Sequence, residues 1–203
     1  MENKTRFETL LQNIERDGME NLISFIRKSD FYTAPASTRY HLCCEGGLLQ
    51  HSLNVYDLLQ QKQLKDGVWK EVLKDVSPDS IVLVSLLHDL CKTYFYEVDY
   101  KNQKVYDENG SKKDEKGRFD WQIVPYYKIN DKIPLGHGEK SVMMIEEFIR
   151  LKPVERYANR WHMGFTEEKS AYNPLSAAIN LHKLVLALHE SDLEATYLLE
   201  GEE

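Results

Sequence analysis

The run Ile81-Val-Leu-Val-Ser-Leu-Leu87, which ends on His88-Asp89, constrains this chain of 203 residues more than any other feature. Ser77-Pro78-Asp79 ahead of it reads as a helix start, with proline at or near the first turn. The β-branched residues of the run would also permit a strand. The apolar pattern continues through Leu90, however, and a helix this apolar all round belongs at the centre of a fold, packed on most sides. A chain built around such a helix must also satisfy His88 and Asp89 at its end, because two polar groups are costly to bury unless something pairs them. A metal ion would supply that pairing.

The rest of the sequence supplies the layers for such a centre. Hydrophobic residues make up 42% of the chain and charged residues 29%, ordinary values for a folded globular domain. The expected fold is mainly α, one domain over residues 1–203. From Phe7 to Ile26 apolar residues recur at helical spacing, as one long or two short helices with Gly18 a break point. The segment 31–47, with Pro35 and the pair Gly46-Gly47, reads as a loop delivering the chain into a helix that carries His51. Helical periodicity returns from Glu139 to Leu151, a short helix is expected from Pro153 to Met163, and Asn173-Pro174 opens a last helix running past Leu188.

Between these lies a stretch of different character, about 94–135. Tyr94 to Tyr100 and Phe119 to Tyr127 are aromatic and partly alternating, and the charged segment 107–117 separates them. This predicts a small β-hairpin inserted into a helical protein, its run Ser111-Lys-Lys-Asp-Glu-Lys116 a solvated tip. Its aromatic residues, Trp121 among them, either stack on a nucleobase or pack the faces of a small sheet. The insertion begins after Lys92 and ends before His137, so its body is expected to project over the site as a wall or lid that selects substrates.

Composition excludes some functions. A net charge of −7 disfavours a general nucleic-acid coat protein, and no stable nucleic-acid complex is expected. The first residues lack the apolar core of a signal peptide and no apolar run is long enough to span a bilayer, so the cytoplasm is the expected compartment and no membrane a partner. Cys43, Cys44 and Cys91 are odd in number, and the adjacent pair would need a strained ring to join, so all three read as free thiols. Nothing in the sequence sets an oligomeric state.

His51 lies in Gly46-Gly-Leu-Leu-Gln-His51, at a helix start where small residues permit close packing against the His88 helix. Asp192 lies in His189-Glu-Ser-Asp192, a carboxylate on a long apolar helix, with His189 one turn before it and able to hydrogen-bond it.

The order Gly-Leu-Leu-Gln-His51, then Leu-Leu-His88-Asp89-Leu-Cys-Lys92, then His189-Glu-Ser-Asp192 resembles the HD-domain superfamily of metal-dependent phosphohydrolases. Phe31-Tyr-Thr-Ala-Pro-Ala with His41 and Gly46-Gly-Leu-Leu-Gln-His51 is similar, over a shorter stretch, to the HD domain of bacterial 3′-to-5′ exoribonucleases. The resemblance implies a helical bundle and a site formed by His51, His88, Asp89 and Asp192. Its binuclear branch implies two more ligands in the positions of His137 and His162. It further implies one or two divalent transition-metal ions, with iron, manganese, cobalt, nickel or zinc suiting mixed imidazole and carboxylate donors better than calcium. Asp89 and Lys92 would be catalytic, Lys92 meeting a phosphate oxygen as a point charge. The family often has glycine where this chain has Cys91, a tolerated change by size. Arg39 and His41 are read either as phosphate or supporting contacts or as turn residues, Trp121 as a substrate contact, and His182 as structural.

The function so implied is hydrolysis of a phosphomonoester or phosphodiester in a nucleotide or short oligonucleotide, the partner being that small phosphorylated substrate. A 3′-to-5′ exonuclease acting on single strands is the alternative, favoured by Lys101, Lys104, Lys112, Lys113, Lys116 and Arg118. A metal-stabilised regulatory module without turnover, and the oxygenase branch with its diiron centre, complete the alternatives.

Overall fold

The computed structural model describes residues 2–65 and 67–201. Helices α1 (Glu2–Gln12) and α2 (Met19–Lys28) come first, followed by the loop into α3 (Gly47–Leu64), the short α4 (Val68–Val72) and α5 (Pro78–Leu87). A 3-10 turn over Leu90–Lys92 leads to β1 (Tyr96–Tyr106), β2 (Lys112–Asp114) and β3 (Gly117–Ile129). The chain then returns to helix as α6 (His137–Glu146), α7 (Pro153–Trp161), α8 (Tyr172–Leu181) and α9 (Leu184–Glu194), closing with a π-type turn at Ala195–Leu199. The protein is mainly α with a small β insertion, and among the described residues no helix is long and apolar enough to cross a membrane.

The apolar run is the central helix. Every residue of α5 from Ser80 to Leu87 is buried, and α1, α3 and α7 pack against it. Ser77 caps its first turn by accepting from the Ser80 N–H, with Pro78 at the helix start, which satisfies one of the free donors that a helix begins with. Leu83, Leu86 and Leu87 join Leu48, Leu53 and Leu59 of α3 and Leu184 and Leu188 of α9 in one continuous core.

A buried ion pair fixes the first corner to this core. Glu155 of α7 is fully buried and accepts from Arg16 at 2.7 and 2.9 Å, from Ser80 Oγ at 2.7 Å and from the Lys152 N–H at 2.8 Å. Gly18 makes the corner possible: its φ of 87° is left-handed, and a Cβ there would lie 1.9 Å from the Phe148 carbonyl oxygen. The break between α1 and α2 is therefore set by both backbone angle and close approach.

The last helix differs from the sequence expectation. It divides into α8 and α9 at His182, whose backbone is extended and whose ring lies against Tyr157 with centroids 5.4 Å apart. The break turns α9 so that Val185 and Leu188 enter the core. Helix α6 likewise stops at Glu146 although Ile149 and Leu151 beyond it are buried.

The insertion is a long hairpin. β1 and β3 pair antiparallel from Tyr96↔Ile129 to Tyr106↔Phe119, and β2 adds to β3 through Lys112↔Phe119. Its root is tied to the helical body by Lys140, which pairs with Asp131 at 2.5 Å, and by the Tyr94 N–H donating to Asp30 Oδ1 at 2.8 Å, while the Asn130 N–H donating to the Phe95 carbonyl at 2.8 Å joins the two ends of the hairpin. Beyond the root, Val98, Tyr100, Trp121 and Ile123 are exposed.

Candidate metal centre

Two helices end in the same device. His88 follows the last turn of α5, and its Nδ1–H donates to the Ser85 carbonyl at 2.8 Å; His162 follows α7, and its Nδ1–H donates to the Asn159 carbonyl at 2.7 Å. Each bond uses a carbonyl that a helix end leaves without an intrahelical partner. Each also fixes the tautomer, so that Nε2 carries a lone pair pointing away from the helix. The Nε2 of His162 is buried and without any hydrogen-bond partner. A buried acceptor of that kind needs explaining, and a cation explains it.

His51 enters from α3, which can start so close to the loop because Gly47 is bare: a Cβ there would meet the Leu42 carbonyl oxygen at 2.1 Å. The Nε2 of His51 lies 3.2 Å from Nε2 of His88, 3.2 Å from Asp192 Oδ1 and 3.6 Å from Asp89 Oδ2. The Nε2 of His88 lies 3.4 Å from the same Asp89 oxygen. Two donors at about 2.0–2.1 Å from one ion are separated by about 2.9 Å at a right angle and about 3.4 Å at a tetrahedral one. His51, His88 and Asp89 fit one ion on these distances, with Asp192 beside His51.

The other oxygen of Asp89 faces the other way. Oδ1 lies 2.6 Å from His137 Nε2 and 3.6 Å from His162 Nε2. The shorter contact is a charge-assisted hydrogen bond. Asp89 thus sits between two groups of imidazoles, and it forms one group able to hold a metal ion with buried His51 and His88 and another with buried Cys91 and half-buried His137.

In this arrangement protons and Lys92 balance the carboxylates. Burial works against a charged His51, but Asp192 and Glu200 outweigh it and raise the imidazole to about 9. Burial is likewise outweighed at His137, by Asp89 and Cys91, again to about 9. Asp89 is well below the usual carboxylate range despite its burial, held there by Lys92, His88 and His137. Lys92 Nζ sits 2.7 Å from Asp89 Oδ2 and donates to the Ala36 carbonyl at 2.7 Å.

The residues read from sequence divide clearly in space. His51, His88, Asp89, His137, His162 and Asp192 converge, with Lys92 beside them. His41 lies at the rim, its ring 5.1 Å from that of His51, and both of its ring nitrogens are buried without hydrogen-bond partners, Nε2 standing 3.9 Å from Glu200 Oε2. Arg39 is exposed and donates to the Tyr40 hydroxyl at 2.7 Å, outside the cluster. Trp121 pairs with Lys104, about 27 Å along β1 from the root of the hairpin at ~3.4 Å per residue, and it packs on Phe119. His189 Nδ1–H donates to the His162 carbonyl at 2.8 Å, whereas the sequence spacing offered it a bond to Asp192.

Three further residues, none given a site role by the sequence pattern, join the cluster. Glu200 comes back from the C-terminal turn to place its carboxylate 3.0 Å from His51 Nδ1, while Asn54 donates to it at 2.7 Å. Asn54 could have been found as the residue one turn beyond His51 on the same helix face. Cys91 lies with Sγ 3.3 Å from His137 Nδ1.

A cavity of about 160 Å³ opens on this cluster, lined by His41, His51, Asp89, Lys92 and Asp192, with Tyr197 at its edge. With liquid water occupying about 30 Å³ per molecule, it accommodates a phosphoryl group and a few waters but not a whole nucleotide. A wider groove of about 1060 Å³ beside α1 and α2 holds none of these residues. No family model matches the chain, and neither a curated protein nor a solved structure matches it.

Proposed function

We propose that this chain is a metal-dependent phosphohydrolase of the HD-domain type, acting on a phosphomonoester or phosphodiester of a nucleotide or short oligonucleotide. The observation that carries the reading is the placement of Asp89 between His51 and His88 on one side and His137 and His162 on the other, at the floor of a cavity sized for a phosphoryl group. His51, His88, Asp89 and Asp192 would hold one divalent ion, and Asp89, His137 and His162 a second. When bound, such ions acidify water and neutralise phosphoryl oxygens as charge develops toward the leaving group.

The chain's own groups do the rest. Lys92 is fixed by Asp89 and the Ala36 carbonyl, so its ammonium is held in place to meet a phosphoryl oxygen without reorganising. His41 is held below its ordinary value by burial and by His51 and Lys92. It is therefore neutral at pH 7 and presents one donor and one acceptor to the cavity. A nucleotide exceeds this cavity, so the rest of such a substrate would lie outside it.

Of the six basic hairpin residues that favour the exonuclease alternative, Lys104 pairs with Asp114 at 2.6 Å and Arg118 donates to the Gly110 carbonyl at 3.0 Å, while Lys101, Lys112, Lys113 and Lys116 are exposed. The test is phosphate release from p-nitrophenyl phosphate, bis-p-nitrophenyl phosphate and a nucleotide panel, with protein loaded separately with Mn²⁺, Fe²⁺, Co²⁺, Ni²⁺ or Zn²⁺. Turnover with at least one metal and none with the metal-free protein is expected. Metal uptake without turnover on any ester would instead favour the regulatory module.

A further inference from the structure

We propose that Cys91 is a thiolate ligand of the ion held on the His137 side of Asp89, making that position sulfur-containing and selective for borderline-soft cations. The proposal rests on the metal-centre reading above and adds a donor to it. Cys91 lies in the 3-10 turn that follows Asp89, so the chain doubles back and returns Sγ to the neighbourhood of the carboxylate. The side chain is buried, and its backbone N–H is spent on Ser141 Oγ at 3.2 Å.

Three donors meet at this point. One ligand atom each from Asp89, Cys91 and His137 all lie within 4.8 Å of one another. Sγ is 3.5 Å from His137 Nε2, and a sulfur at ~2.3 Å and a nitrogen at ~2.0–2.1 Å from one tetrahedral ion would stand about 3.6 Å apart. A second observation is independent of the thiol. The Nε2 of His162 is fully buried, has no hydrogen-bond partner, and points to Asp89 Oδ1 at 3.6 Å. Its lone pair is aimed at the same region from the opposite helix.

A thiol that merely fills space would be expected among apolar neighbours, as a small hydrophobe. This one lies against an imidazole edge beside a carboxylate. Coordination replaces the S–H proton, which passes to buffer, by a sulfur-to-metal bond, with no change of oxidation state. A donor set of one sulfur, one imidazole and one carboxylate oxygen, with His162 on the far side of that carboxylate, favours Zn²⁺, Co²⁺ or Fe²⁺ over Mn²⁺ or Mg²⁺.

Anaerobic titration of metal-free protein with Co²⁺ reads the ligand directly. Intact protein should develop visible ligand-field bands together with a near-ultraviolet thiolate-to-cobalt charge-transfer band. The near-ultraviolet band should persist when Cys43 and Cys44 are both replaced by serine, and disappear in Cys91→Ser while the visible bands remain. Should Cys91→Ser not fold, the double serine variant decides alone, because Cys91 is then its one thiol. Visible bands without the charge-transfer band in intact protein would overturn the thiolate assignment and leave the metal centre standing. Failure to take up cobalt at all would overturn both.

Discussion

Nε2 of His51 faces Nε2 of His88 across 3.2 Å, and each ring has its Nδ1 committed elsewhere, to Glu200 and to the Ser85 carbonyl. Two imidazoles so constrained present lone pairs to one point unless a proton intervenes. Asp192 and Asp89 add negative charge there. The arrangement is suited to a cation, and a proton on His51 takes that role in its absence.

Glu200 should act as a positioning residue for His51. Its carboxylate accepts from Nδ1 and so holds Nε2 toward the cavity. Loss of such a partner weakens metal binding by about 10–100-fold. Glu200→Ala should show a fall of that size in isothermal titration with Zn²⁺, and Glu200→Gln, which keeps an acceptor oxygen, should recover much of it. Equal affinity in Glu200→Ala and the parent would remove Glu200 from the centre.

Much of the centre was legible because physical chemistry writes it locally. An apolar run ending on His88-Asp89 announces polar groups that need a partner, and Gly46-Gly47 before His51 announces a close approach. Glu200 was not legible, since it reaches His51 across 149 positions of sequence through a C-terminal turn that has no pattern of its own. The break at His182 escaped for a related reason: apolar spacing continues through it, and its extended backbone, with the ring against Tyr157, belongs to the tertiary fold and not to the local pattern. The hairpin was legible as strands, but not the direction in which it projects, which carries Trp121 far from the cavity that it was expected to serve.

Nuclearity should respond to the second set of imidazoles. His162→Ala and His137→Ala should each lower bound metal from about two ions per chain toward about one, as a two-ion clamp that loses a ligand would. Elemental analysis after dialysis reads the ratio. About one ion in parent and variants alike would assign His137 and His162 to substrate or to structure.

Acid stability should depend on Glu155. Burial raises its carboxyl, but Arg16, Ser80 and the Lys152 N–H outweigh burial and leave it below the ordinary value of 4.5. A folded value lowered in this way adds stability that is fully present above pH 4.5 and is lost as the pH falls through the folded value. Glu155→Gln should therefore destabilise the protein by about 1.5–3 kcal/mol at pH 7, and by progressively less as the pH drops below 4.5. Urea unfolding at both pH values measures it; a destabilisation that does not shrink in acid would show that the charge of Glu155 contributes nothing.

If Asp89 joins both halves of the proposed metal centre, Asp89→Asn, nearly isosteric and neutral, should break it. Metal content and p-nitrophenyl phosphate turnover should be measured on the same preparation, with circular dichroism to show that the helices persist. The variant should remain helical and lose at least one ion per chain and its turnover together. Unchanged metal content in folded Asp89→Asn would contradict that role of Asp89.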